Sequence, residues 1–120
     1  MRIDIRFIPK SEMRPGIDGW GDWYWVKDTL HIRSLSDEPE CDPFLVAFHE
    51  LAEAWLCRDK GISVEDVDAF DAAFVAPDDD PDAEPGDHPD SPYRVQHRQA
   101  MMIENLMALF LGITDYGVMR

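Results

Sequence analysis

The strongest constraint on this chain is the segment Phe44–Cys57, FLVAFHELAEAWLC, in which the only polar residues are His49, Glu50 and Glu53. A helix that is apolar on nearly all sides is typical of a protein core. Burying a carboxylate is costly unless it is paired or bound to a cation, and the segment contains no lysine or arginine. It therefore predicts a buried helix whose acidic groups need a cation from elsewhere.

The spacing of these polar residues indicates an ion-binding face. His49 and Glu53 are four positions apart, so their side chains project from one side of a helix about one turn apart, and such a pair can hold a single ion. A second apolar segment, Ala100–Leu111, has Glu104 and Asn105 as its only polar residues. We expect the two helices to contribute facing halves of one polar site.

His97 lies seven residues before Glu104, on nearly the same helical face. We therefore expect a divalent metal ion to be bound by His49, Glu53 and either His97 or Glu104. Because the Cα atoms of the last two are about 10 Å apart along the helix axis, they need not reach the same ion. The other residue would then orient a ligand.

A plainer interpretation needs no metal. His49, Glu50 and Glu53 could form a polar helix edge that meets solvent or pairs with Arg94 and Arg98. Short HExx strings are common by chance. The confinement of polar residues to two otherwise apolar helices favours the metal interpretation.

The rest of the chain predicts an α+β fold, with a small sheet of about three strands packed against three helices in a single domain over residues 1–120. Alternating polar and apolar residues predict a strand over 2–8. Two β-prone runs around Lys27–Asp28 predict a hairpin over Trp23–Val26 and Thr29–Ser34.

Helix boundaries follow from capping signals. Asp42–Pro43 and Gly61 predict a first helix over 43–60. Ser63 with Asp66 predicts a second through about Val75. Ser91–Pro92 predicts the start of a third that ends near Gly112.

Charge and composition exclude several function classes. Eleven basic and 25 acidic residues give a net charge of −14, which disfavours nucleic acids and anionic membranes as partners. Segment 77–92 holds seven acids, five prolines and no basic residue, so we expect a solvated loop. No apolar run approaches the roughly 18 residues of a membrane span. Cys41 and Cys57 should lie about 20 Å or more apart, which predicts free thiols and a cytoplasmic location.

The motif His49-Glu50-Leu51-Ala52-Glu53 resembles the HExxH helix of zincin-type metallopeptidases, with glutamate in place of the final histidine. The resemblance implies a minimal zincin-like domain. It also implies that His49 and Glu53 are metal ligands, that Glu50 is the general base, and that the third ligand comes from the third helix. The glutamate shifts the metal preference toward harder ions, although zinc remains the expected metal.

A second resemblance covers most of the chain from Asp42 onward. HELAEA (49–54), GISVEDVDAFD (61–71) and PYRVQH (92–97) are similar to stretches in a group of small uncharacterised phage and prophage proteins. This resemblance implies the host cytoplasm as the location and says little about activity.

Two functions are therefore predicted. The first is a metal-dependent, peptidase-like hydrolase that acts on a peptide or protein substrate with Glu50 as general base. The alternative is a non-catalytic, acidic phage-type interaction protein with a basic protein partner, in which the His/Glu cluster is structural or binds a structural metal. The sequence leaves the oligomeric state open.

Overall fold

The computed structural model describes residues 1–113 and Tyr116, and within them it has a three-stranded sheet. The strands are β1 (Arg2–Ile8), β2 (Gly21–Val26) and β3 (Thr29–Leu35). Their order is β1-β3-β2, with β3 parallel to β1 and antiparallel to β2. The predicted strand and hairpin are confirmed.

The hairpin turn between β2 and β3 contains no glycine. Lys27 adopts a φ of 54°, in the left-handed region that glycine and asparagine normally occupy. The turn brings Trp23 opposite Ile32 and Trp25 opposite Leu30. One face of the sheet therefore carries a dense apolar layer that needs a helical cover.

Three helices follow the sheet: α1 (Pro43–Asp59), α2 (Val64–Ala73) and α3 (Arg94–Phe110). The Asp42 carboxylate accepts hydrogen bonds from the first free backbone N–H groups of α1, and Ser63 does the same for α2. Helix α1 packs against β2, β3 and α3. The predicted α+β class, a small sheet against three helices, is confirmed.

The third helix begins two residues later than the Ser91–Pro92 signal predicts. Ser91 Oγ accepts a hydrogen bond from the backbone N–H of Tyr93 at 3.3 Å, which stabilises a turn rather than a helix N-terminus. Tyr93 has the φ of −118° and ψ of 23° of a residue outside the helix, and α3 begins at Arg94.

The acidic segment 77–92 is only partly the solvated loop that the sequence predicts. Residues 78–80 and 82 are exposed. However, Pro85–Asp87 forms a short 3₁₀ turn that packs on α3, and Gly86 within it is buried. The reason is local: Gly86 has no Cβ, so its backbone can lie directly against an α3 side chain.

The prediction that α1 is buried on all sides is also wrong. Phe44, Phe48 and Trp55 are 67%, 43% and 45% exposed. Another side of the helix faces the protein interior, where Leu45, Val46, Ala47, His49, Glu53, Ala54 and Cys57 are buried.

Cys41 and Cys57 are both free thiols, as predicted. Among residues 1–113 and Tyr116, no helix combines the length and apolar character that crossing a bilayer requires.

Candidate metal centre

Three side chains from two helices converge in the interior. His49 and Glu53 lie one turn apart on α1, and His97 lies in the first turn of α3; they are 3%, 5% and 6% exposed. One donor atom from each lies within 4.8 Å of the others. Glu53 Oε2 is 3.1 Å from His49 Nε2 and 2.9 Å from His97 Nδ1. Ligand atoms around a tetrahedral zinc lie about 3.4 Å apart, so the group could hold a metal ion.

The carboxylate of Glu53 is fixed by the sheet. Trp23 on β2 donates its indole N–H to Glu53 Oε1 at 3.0 Å, and Trp23 is itself only 4% exposed. This hydrogen bond engages one carboxylate oxygen and leaves Oε2 directed at the two imidazoles. The sheet therefore orients the carboxylate that contacts both His49 and His97.

Glu104 supports His49 from the side opposite Glu53. Glu104 Oε1 is 2.8 Å from Nδ1 of His49, and the Tyr116 hydroxyl donates to Glu104 Oε2. The sequence left His97 and Glu104 as alternative third ligands. The structure brings His97 to the shared oxygen of Glu53 and places Glu104, which is fully buried, on the other nitrogen of His49.

His97 has a comparable support that the sequence interpretation missed. Its Nε2 is 2.9 Å from Glu84 Oε2 and 3.8 Å from Asp87 Oδ1, both in the acidic segment. A Cβ on Gly86 would lie 2.6 Å from the His97 ring. The segment was predicted to be solvated, and only its Pro-Gly sequence, typical of a tight turn, could have indicated that it packs.

Glu50 lies beside the group formed by His49, Glu53 and His97 and is not part of it. It is half-buried and lies against β2, where a Cβ on Gly21 would come within 2.6 Å of Glu50 Cγ and Oε1. Its negative charge contributes to raising the pKa of His49. The structure thus places Glu50 at the edge of the cluster, between α1 and the first residue of β2.

The electrostatics of the cluster show strong mutual compensation. Burial alone would lower the pKa of His49, but hydrogen bonds to Glu104 and Glu53 outweigh it and raise the pKa to about 10. Burial likewise opposes protonation of His97, yet Glu53 and Glu84 raise its pKa to about 9. Burial would raise the pKa of Glu53, and the two imidazoles lower it instead. A metal ion entering here must displace protons from the imidazoles.

The arginine-paired alternative does not describe Glu53. In the part of the chain that the structure describes, its ion pairs are with His49 and His97 rather than with Arg94 or Arg98. Glu53 is also too buried to meet bulk solvent. The buried carboxylate is therefore compensated by imidazoles, which are groups that a metal ion can recruit as ligands.

Comparisons with known proteins leave the function to be argued from this geometry. No protein-family model, no curated protein and no solved structure matches the chain. The zincin and phage resemblances therefore stay predictions that rest on the sequence motifs alone.

Proposed function

We propose that this chain binds one divalent metal ion, with zinc as the expected metal, and uses it to hydrolyse a peptide or protein substrate. The observation that carries the proposal is the convergence of His49, Glu53 and His97 donor atoms in the protein interior. Two imidazoles and one carboxylate are the ligand set of many catalytic zinc sites, which keep a fourth position open.

The groups behind the ligands support this assignment. A metal-bound histidine commonly donates its other ring N–H to a carboxylate, which fixes the tautomer and the ring orientation. Glu104 lies on the second nitrogen of His49, and Glu84 on that of His97. Each candidate histidine thus has a carboxylate oxygen close to its second ring nitrogen, at 2.8 Å for His49 and 2.9 Å for His97.

Glu50 is the residue we propose as general base. A divalent ion held by His49, Glu53 and His97 would supply a water nucleophile near neutral pH, because it would lower the pKa of that water. The half-buried carboxylate of Glu50 directly follows the ligand His49 in sequence and can accept a proton there. Gly21 provides the space that lets Glu50 occupy its position against β2.

Metal binding is tested on protein purified without a metal-affinity tag. Elemental analysis should find one metal ion per chain, and chelator should lower the melting temperature, because a bound ion stabilises the fold by RT ln(1 + [L]/Kd). His49→Ala and His97→Ala should lose the ion. His88→Ala, which removes an exposed histidine, is the matched control. Metal-free protein whose melting is insensitive to added zinc contradicts the proposal.

Hydrolysis is tested separately with Glu50→Gln. This variant should keep the metal and lose cleavage of a quenched-fluorescence peptide library, because the amide cannot accept the proton. Glu65→Gln, an exposed substitution on α2, is the control that should keep full activity. Unchanged cleavage in Glu50→Gln would remove Glu50 from the mechanism.

A second candidate function is supported by the burial of the cluster. Ligands that are only 3–6% exposed suit a structural metal in a non-catalytic interaction protein, and the exposed acids at 78–80 and 82 suit a basic protein partner. This candidate predicts that metal binds but no peptide is cleaved. Neutralising those four acids should then abolish partner capture, whereas His49→Ala should not.

A further inference from the structure

The helices cover the β1 part of the sheet only partly. In the central strand β3, Leu30 and Ile32 are fully buried. Their neighbours on β1, Ile3, Ile5 and Phe7, are 45%, 43% and 41% exposed. The helical layer therefore lies over β2 and β3 and stops short of β1.

The apolar surface continues from β1 onto α1. The Phe7 ring packs 5.0 Å from that of Phe44, which is 67% exposed. A groove of about 380 Å³ runs between strand and helix. Its lining is entirely apolar: Ile3, Phe48, Leu51, Ala52, Trp55 and Ile103. Contiguous apolar surface of this kind marks an interaction site.

The outer edge of β1 offers backbone hydrogen-bonding groups to the same region. The N–H of Arg2 and the C=O of Ile8 are bonded on the β3 side, so even-numbered residues direct their backbone groups toward β3. The N–H and C=O groups of Ile3, Ile5 and Phe7 consequently point away from the sheet. An edge strand of this type is a template for pairing with another strand.

We propose that the occupant is a second copy of this chain, whose β1 pairs antiparallel with β1 about a two-fold axis at Ile5. In this register Ile5 faces Ile5 of the second copy, and Ile3 faces Phe7. Asp4 faces Arg6, and the same pair recurs on the other side of the axis. In this register the strand sequence RIDIRFI thus pairs apolar residues with apolar residues and an acid with a base.

The charge pattern disfavours the register whose two-fold axis is shifted by one residue. An axis at Asp4 would set Asp4 against Asp4 and Arg2 against Arg6, and directly opposed like charges are destabilising. With the axis at Ile5, the residues whose backbone groups point outward form the hydrogen-bonded pairs. Asp4 and Arg6 then occupy the non-hydrogen-bonded pairs, where opposing side chains lie closest.

The same pairing covers the exposed side of α1. Two three-stranded sheets joined at β1 make one six-stranded sheet, and both α1 helices lie on the same face of it. The apolar flanks formed by Phe44, Phe48 and Trp55 then approach each other over the half-covered β1 rows. A two-fold symmetric interface uses the same patch on both copies, which these residues supply.

The test replaces Ile5, the residue on the axis, with residues of opposite charge in two separate variants. The unmodified chain should have twice the chain mass in sedimentation analysis at concentrations up to about 100 µM. Ile5→Lys and Ile5→Glu should each be monomeric, because like charges meet at the axis. A one-to-one mixture should recover a dimer, because Lys then faces Glu. An unmodified chain that stays monomeric, or a mixture that gives no dimer, overturns the proposal.

Two further variants distinguish a specific effect at the β1 edge from a general loss of the folded state. Val26→Lys changes an exposed apolar residue on β2, the opposite edge strand, and should dimerise normally. In a Cys41→Ser background, Ile5→Cys should form an intermolecular disulfide, because paired residues about 5.5 Å apart at Cα fit disulfide geometry. Val26→Cys should form none. Crosslinking through Val26 instead of Ile5 contradicts the assigned edge. None of these variants touches the metal centre.

Discussion

Each side of α1 carries residues that a surface helix normally places on the other side. On the interior side, His49 and Glu53 are 3% and 5% exposed, whereas on the outer side Phe44 and Trp55 are 67% and 45% exposed. A surface helix normally buries its apolar stripe and exposes its charges. The buried polar pair therefore needs a compensating charge, and the exposed aromatic residues form the surface that the proposed dimer would cover.

The helix keeps this orientation because apolar burial and charge compensation act together. Leu45, Ala54 and Cys57 are fully buried and anchor the interior side. The polar residues among them are compensated by imidazoles and carboxylates that alternate from Glu104 through His49 and Glu53 to His97 and Glu84. Such a network is stabilising only while every member is satisfied.

The largest effect should come from removing the shared carboxylate on the interior side. Glu53→Ala leaves two buried imidazoles without their common partner, and breaking a buried pair costs about 3–5 kcal/mol. Urea unfolding in the presence of chelator measures this loss. Asp59→Ala, at the exposed end of the same helix, is the control and should change stability by less than about 0.5 kcal/mol. Equal effects of the two substitutions would show that the interior network contributes nothing.

A smaller loss of stability should follow when a side chain is added to the acidic segment where it packs against the network. In Gly86→Ala the new Cβ would lie 2.6 Å from the His97 ring, so the ring or the 3₁₀ turn must shift, at a cost of about 1–3 kcal/mol. Zinc titration should show weaker binding, because His97 leaves the shared oxygen. Gly19→Ala, whose Cβ would have no neighbour closer than 3.7 Å, should leave stability and metal binding unchanged.

Asp71 is a half-buried acid on α2 that accepts a hydrogen bond from the Tyr93 hydroxyl rather than from an imidazole. Burial raises its pKa from 3.8 to about 6, although a hydrogen bond from the Tyr93 hydroxyl partly opposes this. The folded state therefore binds the proton more tightly than the unfolded state. Its contribution to stability is complete below pH 3.8 and is lost as the pH rises toward about 6.

Asp71→Asn keeps an oxygen acceptor for Tyr93 and removes the titration. Its stability relative to the unmodified chain should increase between pH 4 and pH 6 and then level off, by about 1–2 kcal/mol in total, because solvent screens part of the effect at a half-buried carboxyl. Denaturation at a series of pH values measures the difference. Asp78→Asn, in the exposed part of the loop, should show no such trend. A flat difference for Asp71→Asn would mean that this acid is as well compensated as Glu53.

Local signals predicted most of the fold and half of the site. Asp42 and Ser63 cap helices where the sequence places them, since capping depends on residues only two or three positions apart. His49 and Glu53 meet because their spacing along one helix fixes their positions.

The remainder depends on contacts distant in sequence. Glu84 reaches His97 only because Gly86 lets the loop pack on α3. Trp23 orients Glu53 from a strand 30 residues earlier. The exposure of Trp55 could not be predicted either. The sequence pattern of a helix does not distinguish an apolar residue that packs inside its own chain from one that lies on the surface.

The smallest effect on the single chain should come from the outer side of α1. Trp55→Ser in the Ile5→Lys background, which removes dimerisation, should cost less than about 1 kcal/mol, because nearly half of the side chain is already in solvent. Trp23→Ser in the same background removes a buried indole and its hydrogen bond to Glu53, and should cost about 3–5 kcal/mol.

In the unmodified background, Trp55→Ser should instead weaken the dimer and make unfolding depend less on protein concentration. If Trp55→Ser destabilises the monomer as much as Trp23→Ser does, the outer side of α1 is core surface and the contrast between its two sides is lost.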